Sequence, residues 1–178
     1  MKLNRSFGPQ KIFFIARSGL VRRLPMKLTD YFKEDRVIMN FKAAGKREAL
    51  EILCGQLARL DGLSLTEILK VVLDREEMGS TGLEGGVALP HGKSVLVSRP
   101  AMVMALSPGG VFFDSLDGLP ARVFVLFLSP RGGDGREHLQ LLVRLGGLFK
   151  SSEAVEELLA SGTPAEAYDF LARREISP

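Results

Sequence analysis

Only two histidines occur in this 178-residue chain, His91 and His138, and the first stands in an unusual place. It follows Val87-Ala88-Leu89-Pro90 directly and precedes Gly92. Proline fixes its own φ and has no N–H to give a ladder, so Pro90 is expected to end the short apolar strand before it. The sequence therefore delivers an imidazole at a rigid strand end, with no side chain at position 92 to crowd it. Upstream lie Arg75, on the charged end of a helix, and the hydroxyls of Ser80 and Thr81 in the turn that follows. Imidazole titrates near neutrality, while guanidinium and hydroxyl groups donate hydrogen bonds to anions. Together these residues are the makings of a site.

Each of them also has a purely structural reading. A histidine after a strand-ending proline is often a packing residue, and the Ser80 and Thr81 hydroxyls can simply cap a turn. His138 is in phase with Leu141, Leu142 and Leu145 in the first turn of a helix, so its ring is expected to face a core. The positive end of the helix dipole disfavours imidazolium there, so the ring should be neutral and able both to donate and to accept. Cys54 falls within an apolar stripe and reads as packing. Two histidines without clustered carboxylates fall short of a metal ligand set. Gly82-Leu83-Glu84-Gly85-Gly86 lacks the Gly-Lys-Ser/Thr ending of a nucleotide-binding loop.

The elements that must position these residues can be read in order. Val37 to Phe41 has strand character. Residues 45–60 repeat apolar positions at helical spacing (Leu50, Leu53, Cys54, Leu57), and Gly62 closes that helix. Ser64 with Glu67 forms a capping box, Leu63 with Ile68 a hydrophobic staple, and the helix they start should reach about Glu77. Strands are expected at Val87–Leu89, Ala101–Leu106, Val111–Phe113 and Val123–Leu128. The last is continuously apolar, as a strand covered on both faces should be. Asp117-Gly118 marks the turn before it. A helix begins near Asp134, with Glu137 three residues on and Leu141, Leu142, Leu145 and Phe149 as its apolar face. A second spans Ser152 to Leu159, and a last one has Thr163 as cap, Pro164 at its first position and Glu166 completing the box. The expected architecture is a single-domain α/β (α+β) sandwich, with a central mixed β-sheet of four to five strands flanked by helices.

Composition narrows the function classes. At 46% hydrophobic and 25% charged, the chain suits one globular domain. Its single cysteine rules out an internal disulfide and suits a reducing compartment. The net charge of +3 is unevenly spread. Residues 1–25 hold six basic residues (Lys2, Arg5, Lys11, Arg17, Arg22, Arg23) and no acid, leaving 18 Lys and Arg against 21 Asp and Glu in the remainder. The basic balance thus belongs to the leader and gives no reason to expect nucleic-acid binding. The leader's apolar run, Ile12 to Ala16, is short of the roughly 7–15 residues of a secretory core. An Arg-rich, acid-poor start echoes a transit peptide, and Met26-Lys27-Leu28-Thr29-Asp30 equally reads as a natural beginning. Residues 1–25 are therefore set apart as a basic N-terminal extension, and 26–178 as the domain. No apolar run approaches the roughly 20 residues of a membrane-spanning helix.

Read together, Asp74-Arg-Glu-Glu-Met-Gly-Ser-Thr-Gly-Leu-Glu-Gly-Gly-Val-Ala-Leu-Pro-His-Gly-Lys93 closely resembles the signature of type 2 enzyme IIA proteins of the phosphoenolpyruvate-dependent phosphotransferase system. That family has fructose, mannitol and nitrogen-regulatory branches. Phe113-Asp114-Ser115-Leu116-Asp117-Gly118 and His138-Leu139 look like its next landmarks. The likeness runs in order from about Met26 to the end and leaves residues 1–25 without a counterpart. It departs at Leu83-Glu84-Gly85, where many relatives carry Ile-Gly-Asn, and Glu84 adds a negative charge.

The resemblance implies a phosphoryl carrier. His91 would accept the group from a histidine-containing phosphocarrier protein and pass it to an enzyme IIB, or signal to regulatory targets through its own phosphorylation. Arg75 would hold phosphoryl oxygens, Ser80 or Thr81 would donate to them, and His138 would fix the His91 tautomer or touch the group itself. Neither cofactor nor metal is implied. The short opening Met-Lys-Leu-Thr-Asp-Tyr-Phe of a solitary cytoplasmic domain favours the nitrogen-regulatory branch, with sugar transport next. A pure binding regulator is the rival from another class, and the presence of both His91 and Arg75 argues against it. A small-molecule enzyme comes third, for want of a general-base carboxylate at any motif-like spacing.

Overall fold

The computed structural model describes residues 27–132 and 135–176; the basic leader, Met26 and Asp134 lie outside the described residues. Two 3-10 turns, Leu28–Asp30 and Glu34–Arg36, lead into five strands and five helices. In chain order these are β1 (Val37–Ile38), α1 (Lys46–Asp61), α2 (Leu65–Glu77), β2 (Val87–Ala88), β3 (His91–Ser94), β4 (Ala101–Val111), β5 (Ala121–Pro130), α3 (Arg136–Leu148), α4 (Ser152–Leu159) and α5 (Pro164–Ile176). The sheet is mixed. β4 and β5 form its antiparallel centre, β1 lies parallel to β4, and β2 and β3 both lie parallel to β5 along its other side.

Alternation along the central strands builds two cores. Met102, Met104 and Leu106 of β4, with Val123, Val125 and Phe127 of β5, meet Leu141 and Leu145 of α3, Ala154 and Leu158 of α4, and Phe170 of α5. Val103 and Ala105, with Phe124, Leu126 and Leu128, meet Leu50, Leu53 and Leu57 of α1 and Ile68 and Val72 of α2. Both faces of the sheet are thus covered, which is why β5 is apolar without alternation. Helix ends follow the expected chemistry. Gly62 closes α1 at φ 64°, its N–H bonded to the Ala58 carbonyl. Ser64 accepts from the Glu67 N–H at 3.5 Å, and Thr163 from that of Glu166 at 3.2 Å.

Three expectations need correction. Pro90 does not end the strand: β2 stops at Ala88, and the chain resumes pairing with β5 at His91. The Pro90 carbonyl still accepts from Phe127 of β5 at 3.1 Å, so the N–H that proline lacks interrupts the ladder at Leu89–Pro90 without ending it. The two strands expected at Ala101–Leu106 and Val111–Phe113 are one, β4, whose register with β5 shifts between Leu106 and Val111. Phe113 lies beyond it yet is fully buried. The strand at Val37–Phe41 is cut short because Asn40 turns to φ 50°, although the Phe41 N–H still reaches the Leu106 carbonyl at 2.8 Å. Within the described residues α3 opens at Gly135, with φ 72°, and Glu137 of its first turn accepts from the Tyr31 hydroxyl at 2.8 Å.

Candidate functional site

β3 carries His91 into the gap between α2 and α3. Neighbouring residues of a strand face opposite sides of a sheet, and here Gly92 faces α2 so closely that a Cβ would lie 2.5 Å from Val71 Cγ1. His91 therefore faces α3. Its ring stacks on Phe127, its partner in register on β5, with centroids 5.3 Å apart and planes 14° from parallel. The His138 ring meets it edge-on, with centroids 5.2 Å apart. His91 is buried, only 7% exposed, rather than open at a strand end.

The two ring nitrogens of His91 have different partners. Nδ1 lies 2.7 Å from the Leu89 carbonyl oxygen, a group that can only accept, so Nδ1 carries the proton. Nε2 is then the lone-pair nitrogen, and the Arg75 Nε–H donates to it at 3.0 Å. Arg75 Nη1 donates to the Gly79 carbonyl at 2.9 Å, which ties the guanidinium to the turn after α2. Burial pushes the His91 pKa below the ordinary imidazole value, and the Arg75 and Lys93 charges push the same way, against the Leu89 hydrogen bond and Glu76. His138 Nδ1 lies 2.7 Å from Ser129 Oγ. Burial, then the neighbouring His91, Lys93 and Arg75, bring the His138 pKa down to about 4. At neutral pH the site holds two uncharged imidazoles beside cations.

Ser80 and Thr81 are placed otherwise than their types suggested. The Ser80 hydroxyl donates to the Phe113 carbonyl at 3.0 Å, and the buried Thr81 hydroxyl donates to Glu76 at 2.6 Å. Glu76 also accepts from the Thr81 N–H at 2.9 Å and pairs with Lys46 at 2.7 Å, while Lys46 reaches Asp114 at 3.1 Å. The hydroxyls thus brace a loop. A second brace crosses to the turn after β4, where Asp117 accepts from the Gly85 N–H at 2.9 Å. Gly82 lies against that turn as well: a Cβ would be 2.8 Å from the Ser115 Cα. The Phe113–Gly118 segment, noted above as a landmark, is therefore a support for the loop between α2 and β2.

Sequence reasoning brought together Arg75, His91 and His138, which the structure also does. It missed Glu76, read as part of a charged helix end, and Lys46, which lies 30 positions earlier and meets Glu76 only because α1 packs on α2. Phe127 and Ser129, the ring partners of the two histidines, were hidden in an apolar run. Lys93, on the same face of β3 as His91, was seen only as part of a pattern.

Residues 30–174 match the sequence profile of the phosphoenolpyruvate-dependent sugar phosphotransferase system, EIIA 2 family. The chain belongs to this family. Among relatives of this enzyme IIA domain is a nitrogen regulatory protein of Bradyrhizobium diazoefficiens, 31% identical over 147 residues that cover 83% of this chain and 95% of that protein. The crystal structure of nitrogen regulatory protein IIA-Ntr from Neisseria meningitidis superposes with a TM-score of 0.76 at 28% identity, covering 81% of this chain and 98% of that one. Enzyme IIA-mannitol of Escherichia coli, in its complex with phosphorylated enzyme IIB-mannitol, superposes with a TM-score of 0.67 at 25% identity, covering 80% of this chain and 97% of that one. Among the described residues no helix is long and apolar enough to cross a membrane, and no group of three or more potential ligand side chains could hold a metal ion.

Proposed function

We propose that this enzyme IIA domain is a phosphoryl carrier in which His91 Nε2 takes a phosphoryl group from the phosphohistidine of a small carrier protein. The observation that carries this reading is the opposed pair of hydrogen bonds on one ring: Nδ1–H to Leu89 and Arg75 to Nε2. The first fixes the tautomer that leaves Nε2 free to attack. The second places a guanidinium where phosphoryl oxygens arrive, so Arg75 exchanges a nitrogen acceptor for anionic oxygens as the Nε2–P bond forms and the donor's P–N bond breaks. Nδ1 keeps its proton, and the Leu89 carbonyl stabilises the positive charge the ring gains. Phosphoryl transfer asks for positioning and charge stabilisation, and these groups supply both.

His138 packs against the acceptor ring and holds its orientation, itself held by Ser129. Ser80 and Thr81 contribute by keeping the loop in shape; direct donation to the phosphoryl group requires each to leave its present partner, Phe113 or Glu76. The domain acts in the cytoplasm by meeting other proteins: the phosphocarrier upstream, and an enzyme IIB or regulatory targets downstream. Similarity across nearly the whole of a nitrogen regulatory protein favours the regulatory branch. The likeness to a IIA protein bound to its phosphorylated IIB keeps sugar transport as the second reading. Incubation with phosphoenolpyruvate, enzyme I and the carrier should add one acid-labile phosphoryl group, absent from His91→Ala. Labelling of His138, or a His91→Ala chain that is still labelled, would sink the assignment. Transfer onward to an enzyme IIB would then separate transport from regulation.

A further inference from the structure

Gly92 and Ser94 of β3 are buried, and Gly92 packs on Val71 of α2, so the alternation of the strand turns His91 and Lys93 together towards α3. In register with β5, Lys93 sits beside Ser129, the residue that holds His138. Its Nζ lies 3.6 Å from where a Cβ of Gly135 would be, at the start of α3 and one turn before His138. The ammonium group therefore lies beside the imidazole pair, and its charge is among those that depress both rings. Lys46 of the same neighbourhood is neutralised by Glu76 and Asp114, whereas Lys93 has no ion-pair partner among the described residues.

Charge balance gives this lysine a task. A phosphoryl group brings a charge of about −1.5 to −2 at neutral pH. Arg75 supplies one positive charge, both imidazoles are held neutral, and Glu76 is engaged with Lys46. One more cation is needed within reach, and Lys93 is the side chain that shares a strand face with the acceptor.

We propose that Lys93 is a second cationic contact for the phosphoryl group on His91, balancing with Arg75 the charge of the dianion. This rests on the reading of His91 as acceptor. It is distinct from a role for Lys93 in docking a protein partner, and a donor without a protein surface separates the two.

Phosphoramidate is such a donor. His91 Nε2 bonds to phosphorus as the phosphorus–nitrogen bond of the donor breaks and ammonia leaves, with the imidazole proton kept on Nδ1. The full chain and the Lys93→Gln and Lys93→Arg variants would be labelled this way, and the second ionisation of the protein-bound phosphoryl group followed by ³¹P NMR. An adjacent cation favours the dianion, so Lys93→Gln should raise that pKa by about one unit and Lys93→Arg should restore most of the shift. A labelled wild type and a Lys93→Gln chain with identical titrations would overturn the inference while leaving the acceptor role intact. A wild-type chain that takes no phosphoryl group on His91 would overturn the acceptor reading, and the inference with it.

Discussion

Gly92 and Val71 touch where strand β3 passes under helix α2, with room for a hydrogen and not for a methyl group: a Cβ at position 92 would stand 2.5 Å from Val71 Cγ1. Val71 is one helical turn before Arg75, so this contact sets the depth at which the guanidinium meets His91. Gly92→Ala should cost about 1–3 kcal/mol by overpacking and should also slow phosphorylation, because α2 must lift. Adding Val71→Ala should recover part of both losses. Urea melts and labelling rates on the single and double variants check this, and a Gly92→Ala chain of normal stability would show that the contact yields without cost.

Glu76 is a buried carboxylate with three donors, the Thr81 N–H, the Thr81 hydroxyl and Lys46. Removing it leaves the buried Thr81 donors without a partner and breaks an ion pair whose lysine is still partly in water. Glu76→Ala should therefore destabilise the fold by about 2 kcal/mol or more and loosen the loop beside His91. Denaturant melts measure the first effect. Faster hydrogen exchange at the Thr81 and Gly82 amides, relative to the amides of β5, measures the second.

What the sequence showed of this site, and what it hid, follows from how each residue is brought into place. Arg75, His91 and His138 were legible because their positions depend on local facts: a helix end, a strand and a first helical turn. Glu76, Lys46 and Asp114 are joined by packing of α1, α2 and the turn after β4, and no local spacing records that. Pro90 was read as a stop because its missing N–H interrupts the ladder, whereas its carbonyl still bonds to β5 and pairing resumes in the same register at His91. Gly92 was read as open space beside an imidazole. Its real constraint comes from the helix on the other face, which a strand sequence alone cannot announce. The sandwich itself was legible in the continuous apolar run of β5 and the capped, periodic helices.

Acid should weaken the fold through the histidine pair. His138 has its pKa brought to about 4 in the folded chain, and His91 is lowered too, while both unfold to an ordinary imidazole near 6.5. The unfolded chain then binds more protons between those values, so the stability contributed by the neutral rings is complete above about pH 6.5 and is lost as pH falls towards 4. His138→Gln should flatten this part of the stability profile relative to wild type. On the proposed role of His91, the labelling rate should stay level from pH 8 to about 6.5, since its ring stays uncharged there. A rate that halves between pH 8 and 7 would contradict the neutral-site picture.

We propose that residues 1–25, which hold six basic residues and no acid, are an extension to a domain that runs from 26 onward. A chain beginning at Met26 is expected to melt and to accept phosphate like the 178-residue chain. A drop of many degrees in melting temperature, or loss of labelling, would assign residues 1–25 to the domain.

Arg75 and His138 should fail in different ways when removed. Arg75 is half-exposed, bonded to His91 Nε2 and the Gly79 carbonyl, and its departure leaves no large void. Arg75→Ala should slow transfer by about 100-fold or more, the scale of losing one preorganised donor to the transition state, with little change in stability. Arg75→Lys should recover only part of the rate, since an ammonium cannot reproduce the planar fork. His138 fills space between α3 and β5, against Phe127 and His91, and holds Ser129. His138→Ala should slow transfer by loosening the His91 ring and also cost about 1–3 kcal/mol, because Ser129 is buried and loses its partner. Paired phosphorylation kinetics and denaturant melts on both variants decide the matter. An Arg75→Ala chain that transfers at the normal rate would remove the guanidinium from the reaction, and a His138→Ala chain of unchanged stability would remove His138 from the fold's support.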